Sequence, residues 1–410
     1  MSNSASLADL RAALTTSGAR TPVLMSLLAR MPIAMVGLAL LLYVQRETDS
    51  FTIAGFVSAG SLIGVAMGAV AQGRIMDRLG PTRPMITTTA LFVAAVVAEI
   101  AAIETAQPAP VLVVLGWFIG LTEPMIGSAS RALWTHIVPA GPVRNAAFAY
   151  EAISLEVFFI LGPALAGVLA AAPWPGTGLV ISAVCMTTGA VGFALTKVVR
   201  TVEPAPSTGA TLLGALATPG MRTVALAALG FGTTIGFVEV AVPAAATKAG
   251  HPALGGVMLA VWSLTSVFFG VYYAARPWPR RMSLRLPFLL GVFALLIAPL
   301  AIPSSLLGLA LLSLVAGMWI TPQATTHSTA IDIVAPPGTA TEAFGWVVTS
   351  VTLGLATGQS ISGYLVEHVG VWSSFLAASA AGVVIAVLVW LRRNTITERS
   401  SQHTELATVT

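Results

Sequence analysis

The chain has 410 residues, of which 9% are charged and 56% are hydrophobic, and its formal net charge is +4. Soluble globular proteins carry about 25% charged residues, so this composition excludes an ordinary soluble domain and predicts a helical membrane protein with many spans. The single cysteine, Cys185, excludes an intrachain disulfide and a multi-cysteine metal site.

A helix needs about 20 mostly apolar residues to cross a bilayer, and runs of this kind predict twelve spans. The first six cover residues 22–44, 51–72, 84–104, 109–131, 145–170 and 176–197. The second six cover residues 222–246, 254–275, 285–302, 305–326, 342–366 and 370–391. Residues 7–17 precede the first span and are typical either of a short amphipathic helix on the membrane surface or of a flexible tail.

The placement of basic residues predicts the orientation of the chain. Of the 20 Lys and Arg residues, all except Arg30, Arg46 and Lys248 fall in loops or tails on one side of this arrangement. Lys and Arg accumulate in cytoplasmic loops, so both termini are predicted to be cytoplasmic, in the cytoplasmic membrane of a bacterium. The first apolar run is too long for a cleavable signal peptide. Because the basic residues lie between apolar runs, nucleic acid is not an expected partner.

A weak internal repeat relates the two sets of spans. A shift of 196 residues places Ser154 on Ser350 and Gly162 on Gly358. Parallel repeats related by an axis along the membrane normal are a known transporter plan, so we expect two pseudo-symmetric six-helix bundles. The predicted organisation is a cytoplasmic tail (1–21), a first bundle (22–198), a cytoplasmic linker (199–221), a second bundle (222–391) and a cytoplasmic tail (392–410).

The loop predicted after the second span carries a recognisable motif. Residues 73–83 read Gly-Arg-Ile-Met-Asp-Arg-Leu-Gly-Pro-Thr-Arg. This resembles the Gly-x-Leu-x-Asp-Arg-x-Gly-Arg-Lys signature of the major facilitator superfamily, and the matching positions are Gly73, Asp77, Arg78 and Gly80. The resemblance implies the fold of that superfamily, with Asp77 at the N-terminus of span eleven and Arg78 and Arg131 completing a conformational latch. The alternative is a loop that is merely rich in positive charge.

A second motif lies on the fifth span, where Gly162, Pro163 and Gly167 resemble the Gly-Pro-x-x-Gly-Gly pattern of twelve-helix drug/proton antiporters in this superfamily. Proline frees a backbone carbonyl and bends a helix, while small residues allow close packing. The match is partial, so a kinked packing helix without a transport role remains the alternative.

Ionisable groups within membrane spans are functional candidates. Arg30, Glu123 and Glu156 are predicted to lie at about one depth, with Glu151 about one and a half turns below Glu156. One interpretation is that Arg30 competes with a proton for Glu123 or Glu156, and that the carboxyl exchanges its proton for a substrate. The other is a permanent salt bridge that ties spans one, four and five together.

Further polar and aromatic residues complete the candidate set. Glu239, Trp319 and Trp117 are candidates for the substrate cavity, although Glu239 could instead reach the outer interface. Several others are expected at the membrane surfaces: Glu99 and Glu104 at the outer interface, His136 and His327 near cytoplasmic ends, and Asp332 and Glu342 as partners of Arg276, Arg280 or Arg281.

The sequence lacks the P-loop, His-Glu-x-x-His and Gly-x-Ser-x-Gly motifs, so we expect no enzymatic activity, metal or cofactor. We expect instead a monomeric secondary transporter in the lipid bilayer that exports a small amphipathic compound in exchange for protons. The alternatives are proton-coupled uptake of a nutrient and a transport-inactive receptor.

Overall fold

The computed structural model describes residues 7–170, 172–204, 214–251, 253–275, 278, 281–303 and 305–396. The regular elements in this part of the chain are all helical. The helices of the first half are α1 Leu7–Thr15, α2 Arg20–Arg30, α3 Ile33–Thr48, α4 Phe51–Leu79, α5 Thr82–Glu104, α6 Ala109–Thr122, α7 Ile126–Ile137, α8 Pro142–Ala170, α9 Thr177–Ala194 and α10 Lys197–Arg200.

The helices of the second half are α11 Pro219–Lys248, α12 Ala253–Ala275, α13 Met282–Ile297, α14 Leu306–Gly317, α15 Ile320–Val334, α16 Ala340–His368 and α17 Val371–Leu391. Short 3-10 turns cover Gly214–Ala217, Ala298–Ala301 and Arg393–Thr395. Part of the predicted linker, residues 205–213, and most of the predicted C-terminal tail, residues 397–410, lie outside the described residues.

Ten helical segments of the described chain are long and apolar enough to cross a membrane. The other two predicted positions are filled by α12, of 23 residues, and α16, of 29 residues. The first of these contains a shorter apolar stretch, Val257–Tyr273. The described helices therefore occupy all twelve predicted positions, ten of them on both length and composition.

Three of the predicted spans consist of two consecutive helices rather than one. The regular helix is interrupted between α2 and α3 at Met31 and Pro32, between α6 and α7 at Glu123–Met125, and between α14 and α15 at Met318 and Trp319. At the second break Glu123 is extended, with φ −53° and ψ 122°, because the following Pro124 disfavours helical geometry in the preceding residue.

Glycines spaced four residues apart bring two pairs of helices into backbone contact. On α4 and α6, a Cβ at Gly64 or Gly120 would strike the main chain of the other helix. The same holds for Gly232 on α11 and Gly358 on α16. Small residues at this spacing allow close helix packing in membranes, so each half contains one such tightly packed pair.

The two halves meet along two seams. Helix α4 packs against α16, while α8 packs against α12 and α15. Between α8 and α16, Phe148 and Phe344 also face each other across the two halves, with ring centroids 6.0 Å apart. We call the end that holds the α4–α5, α7–α8 and α15–α16 connections the inner end, since the charge pattern predicts it to be cytoplasmic.

Candidate functional site

The signature motif lies at the inner end, on the last turn and a half of α4. The second span continues to Leu79 instead of ending near residue 72, so Gly73–Asp77 is helical and not a loop. The apolar side chains of Ile75, Met76 and Leu79 continue the helical pattern, and Gly80, with φ +75°, ends it.

Asp77 contacts the N-terminus of α16. Its two carboxylate oxygens accept hydrogen bonds from the backbone N–H groups of Thr341 (3.0 Å) and Glu342 (2.8 Å). A Cβ at Gly73 would lie 2.8 Å from the carbonyl oxygen of Thr341. A carboxylate is stabilised by the free N–H groups and the dipole at a helix start, so this contact holds the two halves together at the inner end.

The structure does not bring Arg78 and Arg131 to this contact. Arg78 is exposed. The described hydrogen bond of the Arg131 side chain goes to the carbonyl of Gly127 on its own helix, at 3.4 Å. The latch role of these two residues stays a prediction.

Two salt bridges reinforce the inner end, and both correct the expected partners of Asp332 and Glu342. The guanidinium of Arg74 binds Glu342 through two nitrogens, at 2.8 and 3.2 Å. Arg144 binds both oxygens of Asp332, at 2.7 and 2.9 Å. Each pair joins an arginine of the first half to an acid of the second. The expected partners Arg276 and Arg280 lie outside the described residues.

Arg30 pairs with Glu151, not with Glu123 or Glu156. Its guanidinium lies 2.6 Å from the Glu151 carboxylate, and both side chains are fully buried. Arg30 also donates to the Ser154 hydroxyl at 3.1 Å. The other carboxylate oxygen of Glu151 accepts from Ser130 and from the Trp134 indole, each at 2.8 Å. Helices α2, α7 and α8 therefore meet at one buried ion pair. This is the arrangement of the salt-bridge interpretation, except that the acid is Glu151.

Glu123 lies at the break between α6 and α7 and is 6% exposed. The freed backbone groups are satisfied by Gln72 of α4, whose amide nitrogen donates to the carbonyls of Leu121 and Glu123, each at 2.9 Å. The amide oxygen of Gln72 accepts from the N–H of Met125 at 3.2 Å. An amide at the end of an otherwise apolar span was the sequence signal for this role.

Glu156 of α8 and Glu239 of α11 come from opposite halves and are both half-buried. Gln359 of α16 donates to Glu239 at 2.8 Å. Glu239 thus faces another span and not the outer interface, and Gln359 is a polar partner that sequence reasoning missed.

Two expectations about surface residues were wrong. Glu99 is fully buried and both its carboxyl oxygens lack a hydrogen-bond partner, because it lies on the same face of α5 as the buried Phe92, Val96 and Ile103. His327 is 2% exposed, with Gln323 at 3.2 Å and the ring of Phe231 at 5.7 Å.

Glu104 and His136 lie where they were expected, near the outer interface and at the surface of the inner end. Glu104 accepts from Tyr43 at 2.6 Å and from Trp174 at 2.7 Å near the outer end of α5, and His136 is exposed.

The candidate cavity tryptophans pack within their own halves. Trp319 contacts Phe269 of α12 and Phe288 of α13, with ring centroids 5.7 and 6.5 Å away. Trp117 pairs with the adjacent Phe118, at 4.8 Å. Their predicted contact with substrate stays a prediction.

The proline motif lies within α8, which continues without interruption from Pro142 to Ala170. A Cβ at Gly162 would lie 2.7 Å from the Cβ of Ala34 on α3, so this glycine permits close packing. The surroundings of Pro163 and Gly167 lie outside the described part of the structure.

Comparisons with known proteins agree with this architecture. The family model described as Major Facilitator Superfamily matches residues 23–341. Comparison with curated proteins gives no match.

Two solved structures share the fold. The human organic anion transporter MFSD10 (TETRAN) is 17% identical, with a TM-score of 0.69 over 91% of this chain and 99% of that one. A bacterial homologue of the iron transporter ferroportin, in an outward-facing state, is 14% identical, with a TM-score of 0.68 over 93% and 99%. With twelve helical positions in two halves and the matched signature motif, the chain belongs to the Major Facilitator Superfamily of membrane transporters.

Proposed function

We propose that the protein is a secondary transporter that exports a small amphipathic compound across a bacterial cytoplasmic membrane by proton exchange. It acts as a monomer, with both termini in the cytoplasm. The halves rock against each other around a site near the midplane.

The observation that carries this proposal is the presence of half-buried acids on both halves, Glu156 on α8 and Glu239 on α11. A carboxylate held away from water binds a proton or a positively charged group more readily. Because the two acids belong to different halves, rocking changes their surroundings and thus their hold on that proton. This is the requirement for coupling a proton to the conformational change.

The inner-end contacts support an alternating cycle. Asp77, Arg74 and Arg144 connect the halves at the inner end, and deeper in the same α4–α16 seam the hydroxyl of Thr349 donates to the carbonyl of Ala66 at 2.6 Å. Opening toward the cytoplasm requires these contacts to break. The described state therefore corresponds to the outward-open or closed part of the cycle.

The test is transport by purified protein in proteoliposomes that contain a pH-sensitive dye, under an imposed pH gradient. A panel of amphipathic amines, acids and neutral compounds identifies a substrate by the proton flux it evokes. Proton flow opposite to the compound supports export by exchange, and flow in the same direction supports the uptake alternative. Absence of flux with every compound supports the inactive receptor.

Variants then locate the coupling site. We expect Glu156→Gln and Glu239→Gln to lose gradient-driven accumulation yet retain exchange of substrate at equal pH, since exchange needs no net proton movement. Glu123→Gln is measured in the same assay, because Glu123 is the remaining candidate for the coupling carboxylate. Accumulation at wild-type rates in both Glu156→Gln and Glu239→Gln excludes this acid pair as the coupling site.

A further inference from the structure

The region around Glu151 contains more hydrogen-bond donors than acceptors. The Nε–H of Arg30 is buried and lacks a partner, and so does the hydroxyl of Tyr150 on the neighbouring position of α8. Arg131 uses one nitrogen, weakly, on the carbonyl of Gly127. A guanidinium presents five N–H donors, so most donors of Arg131 have no described acceptor.

The charges of this region do not balance either. Arg131 lies on α7 between Ser130 and Trp134, which both donate to the Glu151 carboxylate, so α7 carries a second arginine beside the buried ion pair. The carboxylate of Glu151 is already committed to Arg30 at 2.6 Å and to Ser130 and Trp134. Among the described residues, neither Glu123 nor Glu156 contacts either arginine. Two cations thus share one anion inside the helical region, where an unpaired charge is costly.

We propose that Arg131, with Tyr150 and the free edge of Arg30, binds an anionic group of the substrate, a carboxylate or another small oxyanion. An oxyanion supplies both quantities that the region lacks: acceptors for the free donors and a second negative charge. Arg131 is half-buried, and the planar fork of its guanidinium matches two oxygens of a carboxylate.

The neighbouring helices place this site in the transport path. Arg131 is on α7, which contacts α16 of the other half as well as α2 and α8. The part of α7 that carries Arg131 lies between the break at Glu123–Met125 and the closed inner end, so it borders the space between the halves that the proposed function takes as the substrate route. The inference rests on the proposed function in treating this space as the substrate route, and it holds for either direction of transport.

The test is binding to the purified full-length protein in lipid nanodiscs, with no gradient, measured by calorimetry and thermal stability. The probes share one body and differ in charge: 4-butylbenzoate, 4-butylbenzamide and 4-butylbenzylamine. We expect saturable binding of the benzoate and at least tenfold weaker binding of the amide and the amine. Arg131→Gln should weaken benzoate binding at least tenfold, Arg131→Lys less, and Tyr150→Phe about threefold.

The control is Arg200→Gln, which removes an exposed arginine from α10 and should leave benzoate binding unchanged. Monodisperse elution of each variant shows that it is folded. Three outcomes each overturn the anion site. The wild type shows no saturable benzoate binding, it binds the amide as tightly as the benzoate, or Arg131→Gln binds benzoate as tightly as the wild type. Benzoate binding without proton-coupled flux in proteoliposomes rejects the proposed coupling and leaves the anion site standing. Proton-coupled transport of amines without benzoate binding supports the proposed coupling and rejects the anion site.

Discussion

The guanidinium of Arg30 and the carboxylate of Glu151 are fully buried and 2.6 Å apart. Taking both charges out of water is expensive, and their attraction offsets this cost only when further hydrogen bonds complete the geometry. Ser154, Ser130 and Trp134 supply those bonds. The pair therefore fixes α2, α7 and α8 relative to one another.

Removing one partner of this pair should destabilise the protein more than removing both. We expect Arg30→Met or Glu151→Met to lower the free energy of unfolding by about 3–5 kcal/mol, because each leaves a buried charge unpaired. The double variant should recover part of this loss. Unfolding in mixed micelles, followed by circular dichroism, measures all three. Strict additivity of the two single effects contradicts the pairing.

At the scale of the element, an apolar span does not have to be one straight helix. The break between α6 and α7 exposes backbone groups within the span, and such groups need partners where water is absent. Gln72 of α4 satisfies three of them. One amide side chain thus permits Pro124 to interrupt the fourth span.

Replacing this amide should destabilise the break. We expect Gln72→Leu to cost about 1–3 kcal/mol for each buried group left without a partner. Gln107→Leu is the matched control, because Gln107 is exposed and lies outside the helices. Thermal unfolding in detergent compares the two variants with the wild type. Equal midpoints for Gln72→Leu and Gln107→Leu would show that water replaces the amide.

The glycines of α4 and α6 offer a second element-scale test. A Cβ at Gly120 would overlap the carbonyl of Ser61, whereas Gly37 on α3 has open space at that position. We expect Gly120→Ala to destabilise by about 1–3 kcal/mol through overpacking. Gly37→Ala should stabilise by about 0.5–1 kcal/mol through helix propensity. The same unfolding assay measures both, and destabilisation by both would point to a general intolerance of alanine.

At the scale of the whole molecule, the halves are joined at the inner end by a helix cap and two salt bridges. Each of these contacts crosses from one half to the other. The Glu342 carboxylate also accepts from the N–H of Ala215, at 3.0 Å, in the 3-10 turn before α11. Glu342 thus links this turn to the contact between the halves.

Weakening these contacts should open the inner end. In a Cys185→Ser background, a cysteine placed at the buried Ala343 reports access from the cytoplasmic side. We expect Asp77→Asn combined with Glu342→Gln to raise its maleimide labelling rate about tenfold, the effect of losing about 1.4 kcal/mol of closing free energy. The charge exchange Arg74→Glu with Glu342→Arg should restore slow labelling. An unchanged rate in the first variant would mean that other contacts keep the end closed.

The helical class, the order of the spans and the superfamily were predictable from sequence, because hydrophobic length and a contiguous loop motif are local properties. The contact of Asp77 with the start of α16 followed from the motif resemblance. One difference from the prediction has a local cause as well. The second span ends at Leu79 and not at residue 72, because apolar residues continue the helix up to Gly80.

The partners of the charged residues were decided by the tertiary structure. Counting residues gives depth along a helix but not the direction in which a side chain points. Glu123 and Glu156 were therefore the expected partners of Arg30, whereas its partner is Glu151. Asp332 and Glu342 were assigned to nearby arginines of their own half, whereas they bind Arg144 and Arg74 of the other. Pairing depends on helix rotation and on the packing of the halves, and neither is encoded in the spacing of a single span.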